Sequence, residues 1–385
     1  MKWGSGANHL PKIHIELPDS NTHLNNSQQM HRPKNLSSSF RLLSELVFDP
    51  SRAQVDFLRN RQDVENLTAL ATKNHVIIRA FRPLGLILES GGKADTACCV
   101  WEAIDQEEQR ILHAVEFLKE ICLGLEEGGC QATVMKSLDH WPDLGSDLDL
   151  YLDADPQAVI AIMKARFHAK VDARSWGDRL ANKWNFVVPG LPELVEIHIS
   201  RLGQTGEHTA LSRSLKMRSR FERVGSNQFR VPAPEDRIVV STLQRMYRHF
   251  YVRLCDIVDN ARLLSSGGVD FGYLRSLGSE SGIWQGIAAY LNIVSGYVES
   301  FRGVATPLPS SVIEAARFGA AQLTCRRNFL RVPIVPHSVN LYGLEFKRLL
   351  LKRELGNSLR LSLLPCLATA AVIEQKITGS DKGIW

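Results

Sequence analysis

The segment Asp147–Leu152 constrains the fold most strongly, because polar and leucine side chains alternate along it without interruption. In an extended strand, successive side chains point to opposite faces of the sheet. We therefore predict a strand whose leucines enter the core, while Asp147, Asp149 and Tyr151 share the other face. Two carboxylates at i and i+2 are about 6–7 Å apart by Cα and can reach one divalent cation. Oxygen-only ligands suit Mg²⁺ or Mn²⁺. An exposed edge strand without a ligand would show the same pattern.

A second alternating segment, Val195–Ile199, places Glu196 and His198 on one polar face. If it pairs next to the aspartate strand, Glu196 becomes a third carboxylate beside Asp147 and Asp149. The alternative for Glu196 is an exposed strand glutamate. We expect His198 to be a hydrogen-bonded strand histidine and not a ligand.

The residues just before the aspartate strand indicate a phosphate contact. Ser137 precedes Asp147 by ten residues and follows a short apolar run, so it lies just past a strand end. Backbone amides and a hydroxyl at such a turn can hold a phosphate, and Lys136 can place a compact positive charge on a triphosphate. His140 and Trp141 could touch a base, although packing within the loop is the simpler interpretation of both.

The pattern along the whole chain predicts an α+β fold: a small mixed sheet with helices, flanked by N-terminal and C-terminal helical regions. Expected strands are Ala132–Met135, Asp147–Leu152, Trp184–Val188 and Leu194–Ile199, and expected helices span about Ile104–Leu125 and Pro156–Ala169. From Pro234 onward the pattern is almost wholly helical, beginning with a proline and two acidic residues in the first turn. The predicted units are 1–39, a disordered tail; 40–95, an N-terminal helical region; 96–232, the unit that contains the alternating strands; and 233–385, a C-terminal helical domain.

Composition narrows the class of protein. The 385 residues carry a net charge of +5, which suits a protein that handles phosphates but falls far short of a polycationic nucleic-acid binder. The cysteines number seven, with no Cys-x-x-Cys, and so favour a reducing compartment. The apolar stretch Leu361–Ile373 is too short to span a membrane, and the N-terminus has no apolar signal region. We therefore expect a cytoplasmic protein with no membrane partner.

Basic residues cluster after the second alternating segment. The run consists of Arg213, Lys216, Arg218, Arg220, Arg223 and Arg230. It could grip a triphosphate or an anionic acceptor, but a solvated basic face is the preferred interpretation. Farther along, Asp256 and Asp259 are expected to pair with Arg262 on one helix at i,i+3 spacing.

The spacing of Ser137, the Ser146-Asp147-Leu148-Asp149-Leu150 strand and Glu196 resembles the DNA polymerase β-like nucleotidyltransferase superfamily. The layout over about residues 40–265 is similar to one bacterial branch, the uncharacterised nucleotidyltransferase family. Where that family carries Gly-Ser or Lys-Gly in its phosphate loop, this chain has Lys136-Ser137.

The resemblance implies a metal-dependent nucleotidyltransferase. Asp147, Asp149 and Glu196 would be the catalytic, metal-binding residues for Mg²⁺ or Mn²⁺, and Lys136 and Ser137 would bind the nucleotide. A nucleoside monophosphate would pass from an NTP, ATP by preference, to the hydroxyl of an unidentified acceptor, with release of pyrophosphate. Residues 96–232 would then be the catalytic domain.

Two other functions fit the sequence. A catalytically degenerate protein of the same fold could bind a nucleotide or a partner without turnover, as the missing loop glycine suggests. A nucleic-acid-binding module could be built on the basic run, but that run contains only Phe221 and Phe229 as stacking residues and matches no RNA-binding motif.

Overall fold

The alternating segments form the central sheet in the computed structural model, which describes residues 33–203 and 205–363. The sheet has the strand order β1-β2-β5-β4-β3. The strands are β1 Ala132–Met135, β2 Asp147–Leu152, β3 Lys170–Val171, β4 Lys183–Val187, β5 Leu194–Ile199, β6 Arg220–Val224, β7 Asn227–Val231, β8 Tyr251–Val252, β9 Thr324–Arg326 and β10 Phe329–Arg331. The predicted α+β class is confirmed, and β1, β2 and β5 have the predicted bounds.

Helices flank the sheet on both sides in sequence. They are α1 Ser38–Phe48, α2 Arg61–Asn74, α3 Ile77–Ser90, α4 Ala94–Glu127, α5 Pro156–Phe167, α6 Trp176–Leu180, α7 Thr209–Arg218, α8 Pro234–Thr242, α9 Leu254–Ser265, α10 Phe271–Ser281, α11 Trp284–Arg302, α12 Ser310–Ala315, α13 Val339–Leu351 and α14 Leu355–Ser362. A wider, π-type helix, Leu243–His249, continues α8. Short 3-10 turns span Pro50–Arg52, Ser137–His140 and Ala320–Gln322, and a second π-type segment spans Ile334–Ser338.

Strand pairing fixes which side chains meet. β2 and β5 are parallel neighbours, and Asp149 lies opposite Glu196 in their register. β1 and β4 pair antiparallel on the outer sides of these two strands. Because side chains alternate between faces, the leucines of β2 are fully buried while its aspartates face the other way.

The long helix α4 links the N-terminal helices to the sheet. It begins at Ala94 and not near Ile104, and it spans 34 residues. Its first turns bury Ala97, Val100 and Ile104 against α3. One apolar core runs from Phe40 to Leu341 and joins the helices to the sheet.

The region beyond Pro234 is not almost wholly helical, and that prediction was wrong. Short strands β8, β10 and β9 form a three-stranded sheet there. They have two or three residues each, too few for a periodic pattern to appear in the sequence. The predicted helix start is correct, since α8 begins at Pro234 with Glu235 and Asp236 in its first turn.

The chain is already ordered before Phe40. Lys34 forms a parallel β-bridge with Thr324, the first residue of β9. Ser37 is the N-cap of α1, and its side chain accepts a hydrogen bond from the Phe40 N–H. The rest of the predicted tail, residues 1–32, lies outside the described residues. Among the helices of the described ranges, none combines the length and apolar character that crossing a bilayer requires.

Candidate active site

The parallel pairing of β2 and β5 gathers three carboxylates on one face of the sheet. Asp149 lies opposite Glu196, and Asp147, two residues earlier in β2, shares the same face. One ligand atom from each of Asp149, Glu196 and His198 lies within 4.8 Å of the other two. Asp147, Asp149 and Glu196 line one cavity of about 140 Å³. The structure thus brings together the three residues selected from the sequence, and their role as metal ligands remains a prediction.

Crowding of like charges is visible in the pKa of Asp147, which is raised to about 6. Burial is the largest cause, followed by the charges of Glu196 and Asp149. Asp149 behaves in the opposite way. Burial alone would raise its pKa, but Lys136 and His198 hold the pKa of this carboxyl well below its usual range. Within the cluster, Asp149 is therefore paired with a cation, whereas Asp147 has no ion pair among the described residues.

Lys136 takes a backbone conformation that normally belongs to glycine. Its φ is 56° and its ψ is −55°, a region that L-residues with a side chain rarely adopt. The strained backbone aims the ammonium at the cluster, where Lys136 Nζ forms an ion pair with Asp149 Oδ1.

The Ser137 hydroxyl bonds to the backbone of the aspartate strand. Its Oγ accepts from the Asp149 N–H at 2.8 Å and donates to the Asp147 carbonyl at 3.1 Å. These bonds fix the turn against the start of β2. Their effect is to position the aspartates, whereas the phosphate contact predicted for Ser137 is not tested.

Lys183 is a second cation that the sequence did not single out. It enters from β4, with Nζ 3.0 Å from Glu196 Oε1 and 3.1 Å from Asp178 Oδ1. Lys183 lies one residue before the strand predicted from the sequence, so it was not assigned to that strand. The pairing of β4 with β5 brings Lys183 close to Glu196.

His198 differs from the expected hydrogen-bonded strand histidine. The ring is buried, neither nitrogen has a hydrogen-bond partner in the described structure, and Nε2 lies 3.8 Å from Asp149 Oδ1. Burial lowers the pKa of His198. His198, as a neutral imidazole beside Asp149 and Glu196, is a further candidate ligand. The alternating pattern of β5 had already predicted that His198 shares a face with Glu196.

Basic side chains from the C-terminal half line the same cavity. Arg245, Arg248, His249 and Arg253 line it together with Tyr251. Arg245 already has an ion-pair partner within the protein, since its Nε lies 2.7 Å from Asp256 Oδ2. Arg248 forms no ion pair with any residue of the described ranges. These residues were missed because tertiary packing alone brings this helix to β2.

A second cavity of about 260 Å³ adjoins the first and shares Lys136, His140 and Gln244 with it. Trp141, Arg220, Arg223 and Arg262 contribute to its walls. Both Trp141 and part of the basic run therefore reach a cavity.

The basic run as a whole does not form one surface. Lys216 pairs with Asp153 at 2.6 Å, and Arg218 pairs with Glu235 at 2.8 Å while lying over the Tyr273 ring. Arg220 and Arg223 instead line the second cavity.

The expected pairing of Asp256 and Asp259 with Arg262 was wrong. Asp256 pairs with Arg245, and Asp259 Oδ1 lies 2.7 Å from Arg79 Nη1. Arg262 donates to the Trp141 carbonyl. Arg245 and Arg79, from distant segments, are the partners instead, because the acidic face of α9 is buried against those segments.

Asp259 also orients His140, whose Nδ1 lies 2.5 Å from Asp259 Oδ2. Burial opposes the charged form of His140, but Cys255 and Asp259 raise its pKa well above the usual value. Together with Arg79 and Asp143, this network ties the loop after β1 to α3 and α9.

No protein-family model matches the sequence, and no curated protein is significantly similar to it. One solved structure, an antigenic nucleotidyltransferase-like protein from Paracoccidioides brasiliensis, is 12% identical, with a TM-score of 0.31, over 43% of this chain and 86% of that chain. A likeness at this level does not establish a common fold. The superfamily resemblance noted in the sequence remains a prediction.

Proposed function

We propose that the chain is a metal-dependent nucleotidyltransferase. The supporting observation is the convergence of Asp147, Asp149 and Glu196 on one cavity that Arg248 and Arg253 also line. Carboxylates beside cations are the two halves of a site that binds metal ions and a polyphosphate together.

The donor set fits a hard divalent cation. Three carboxylates supply oxygen ligands, which Mg²⁺ and Mn²⁺ prefer. The raised pKa of Asp147 reflects burial and the nearby charges of Glu196 and Asp149, and a dication would offset that repulsion. Asp147, Asp149 and Glu196 would hold the ion, with His198 as a further candidate.

The residues of this chain would then divide the work. Asp147, Asp149 and Glu196 would hold the ion, which would supply positive charge to the phosphates and to the acceptor hydroxyl. Arg248 and Arg253 bind the β- and γ-phosphates, and Lys136 leaves Asp149 to contact the same chain. The acceptor oxygen bonds to the α-phosphorus, the bond to the bridging oxygen breaks, and pyrophosphate leaves. The hydroxyl proton passes to a carboxylate of the cluster.

Trp141 in the second cavity offers a flat surface for a base or an acceptor ring. ATP is the proposed nucleotide, and the acceptor class is left open.

Labelling tests the proposal directly. Full-length protein is incubated with each α-labelled NTP, Mn²⁺ and a cell lysate, and label transfer and pyrophosphate release are followed. Asp149→Asn keeps the shape of the side chain but removes its charge, so transfer should fall by at least about a hundredfold. Asp105→Asn, on the exposed side of α4, is the matched control and should retain full transfer. Absence of label transfer and of pyrophosphate release with every NTP would contradict the proposal.

A degenerate nucleotide binder is the second candidate, and a specific observation favours it. Lys136 and Lys183 already pair with Asp149 and Glu196, so cations of the chain itself could replace a metal ion. This function predicts that ATP binds equally well with Mn²⁺ or with a chelator. The enzyme predicts tighter binding with Mn²⁺, and calorimetry distinguishes the two.

A further inference from the structure

A second group of ionisable side chains lies away from the two cavities, where the loop after β5 meets α13. Glu207, His208 and Glu345 are 3%, 4% and 2% exposed. One ligand atom from each lies within 4.8 Å of the other two. None of the three lines either cavity, so the group is separate from the proposed active site.

The distances are those between ligands of one small metal ion. His208 Nε2 lies 3.4 Å from Glu207 Oε1 and 3.1 Å from Glu345 Oε1. Tetrahedral bonds of about 2.0 Å put neighbouring ligand atoms about 3.3 Å apart. Both measured distances are within about 0.2 Å of that value.

The two closest atoms are not hydrogen-bonded to each other. His208 Nε2 and Glu345 Oε1 are both buried, and neither has a partner in hydrogen-bond geometry among the described residues. Buried polar atoms are almost always satisfied. An ion bound between the two atoms would satisfy both of them.

The loop is shaped around the Glu207 carboxylate. Its other oxygen, Oε2, accepts from the Thr205 N–H at 2.7 Å and from the Thr205 hydroxyl at 3.0 Å. Gly203 has a φ of +101°, and a Cβ there would lie 2.5 Å from the carboxylate carbon of Glu207. Outer hydrogen bonds that orient a ligating carboxylate are a regular feature of metal sites.

We propose that Glu207, His208 and Glu345 form a structural site for a divalent transition metal. One imidazole and two carboxylates fit Zn²⁺, with a fourth position for water. Two carboxylates with a neutral imidazole carry two negative charges, which a dication balances. The ion would fasten α13 to the loop that follows β5, the strand that carries Glu196.

The competing arrangement is a protonated His208 held between the two glutamates, and Zn²⁺ binding separates the two. Full-length Asp149→Asn protein, in which the carboxylate cluster of the proposed active site is weakened, is freed of metal and titrated with Zn²⁺ by calorimetry. His208→Gln and Glu345→Gln are then added on that background. Glu314→Gln, an exposed glutamate on α12, is the control.

The Asp149→Asn protein should bind one Zn²⁺ tightly. Each ligand substitution should weaken that binding by more than about tenfold, the smallest loss that even an outer-shell change causes, and Glu314→Gln should not. Absence of tight binding, or unchanged binding in both ligand variants, would overturn the proposal.

X-ray absorption at the zinc edge provides a test that needs no ligand variant to fold. In Asp149→Asn protein that also carries His198→Gln, which removes the imidazole beside the carboxylate cluster, bound Zn²⁺ should still show one imidazole and otherwise oxygen ligands. A sulfur ligand or two imidazoles would place the ion elsewhere and reject the site. Because this site is independent of nucleotide chemistry, its failure would leave the proposed function untouched.

Discussion

At Lys136 the backbone and the side chain have opposing effects on stability. A φ of 56° costs a residue with a Cβ about 1–2 kcal/mol, and glycine avoids that cost. Lys136→Gly and Lys136→Met both remove the ion pair with Asp149, but only the glycine variant relieves the backbone. We expect Lys136→Gly to be more stable than Lys136→Met by about 1 kcal/mol in urea unfolding. Equal stability would show that the turn does not hold this conformation.

Asp236 is expected to make stability pH-dependent. Burial raises its pKa to about 6, although the Ser214 hydroxyl donates to it at 2.6 Å. The folded state therefore binds the proton more tightly than the unfolded state, and this group destabilises the fold as pH rises from about 4 to 6.

Asp236→Asn removes the ionisable group and with it this pH-dependent destabilisation. Its stability advantage over the parent should grow by about 1 kcal/mol between pH 5 and pH 7.5, measured by denaturant unfolding at both values. An advantage that stays constant across this range would mean that Asp236 titrates normally.

The residues of the site divide into those that alternation predicts and those that only tertiary contacts provide. Asp147, Asp149 and Glu196 could be predicted because a period of two assigns each to a polar face. Lys183 and Arg248 could not, since no local pattern indicates which distant strand or helix a single cation will meet.

The elements themselves were predictable where periodicity was strong. β2 and β5 have the predicted bounds, whereas β8, β9 and β10 are too short to alternate measurably. The start of α1 depends on a single side chain, because Ser37 caps the helix.

Ser37→Ala should cost about 1 kcal/mol, because the Phe40 N–H loses the side-chain acceptor that caps α1. Ser38→Ala, an exposed position inside the same helix, should be close to neutral. Thermal and urea unfolding of both variants measure the difference. Equal effects at the two positions would indicate that the cap is not formed.

The whole molecule is joined by buried ion pairs as well as by its apolar core. Arg79 of α3 pairs with Asp143, which precedes β2, at 2.9 Å and with Asp259 of α9 at 2.7 Å. Arg79→Met leaves buried Asp143 without its cation and Asp259 with His140 alone, and it should cost about 3–5 kcal/mol of unfolding free energy.

Arg82→Met, three residues later on the same helix, is the control. Its pair with Glu108 is exposed, so the loss should stay below about 1 kcal/mol. Comparable losses in the two variants would argue against a network that spans the three segments.

The acidic and the basic residues that line the first cavity are synthesised at different times. Asp147, Asp149 and Glu196 leave the ribosome before Arg245 and Arg248, with residues 197–244 in between. At about 5–20 residues per second, this interval lasts about 2–10 seconds. Lys136 and Lys183, which pair with Asp149 and Glu196 in the folded protein, are both synthesised before this interval begins. The counter-charges of these two carboxylates are therefore available before the arginines of the cavity exist.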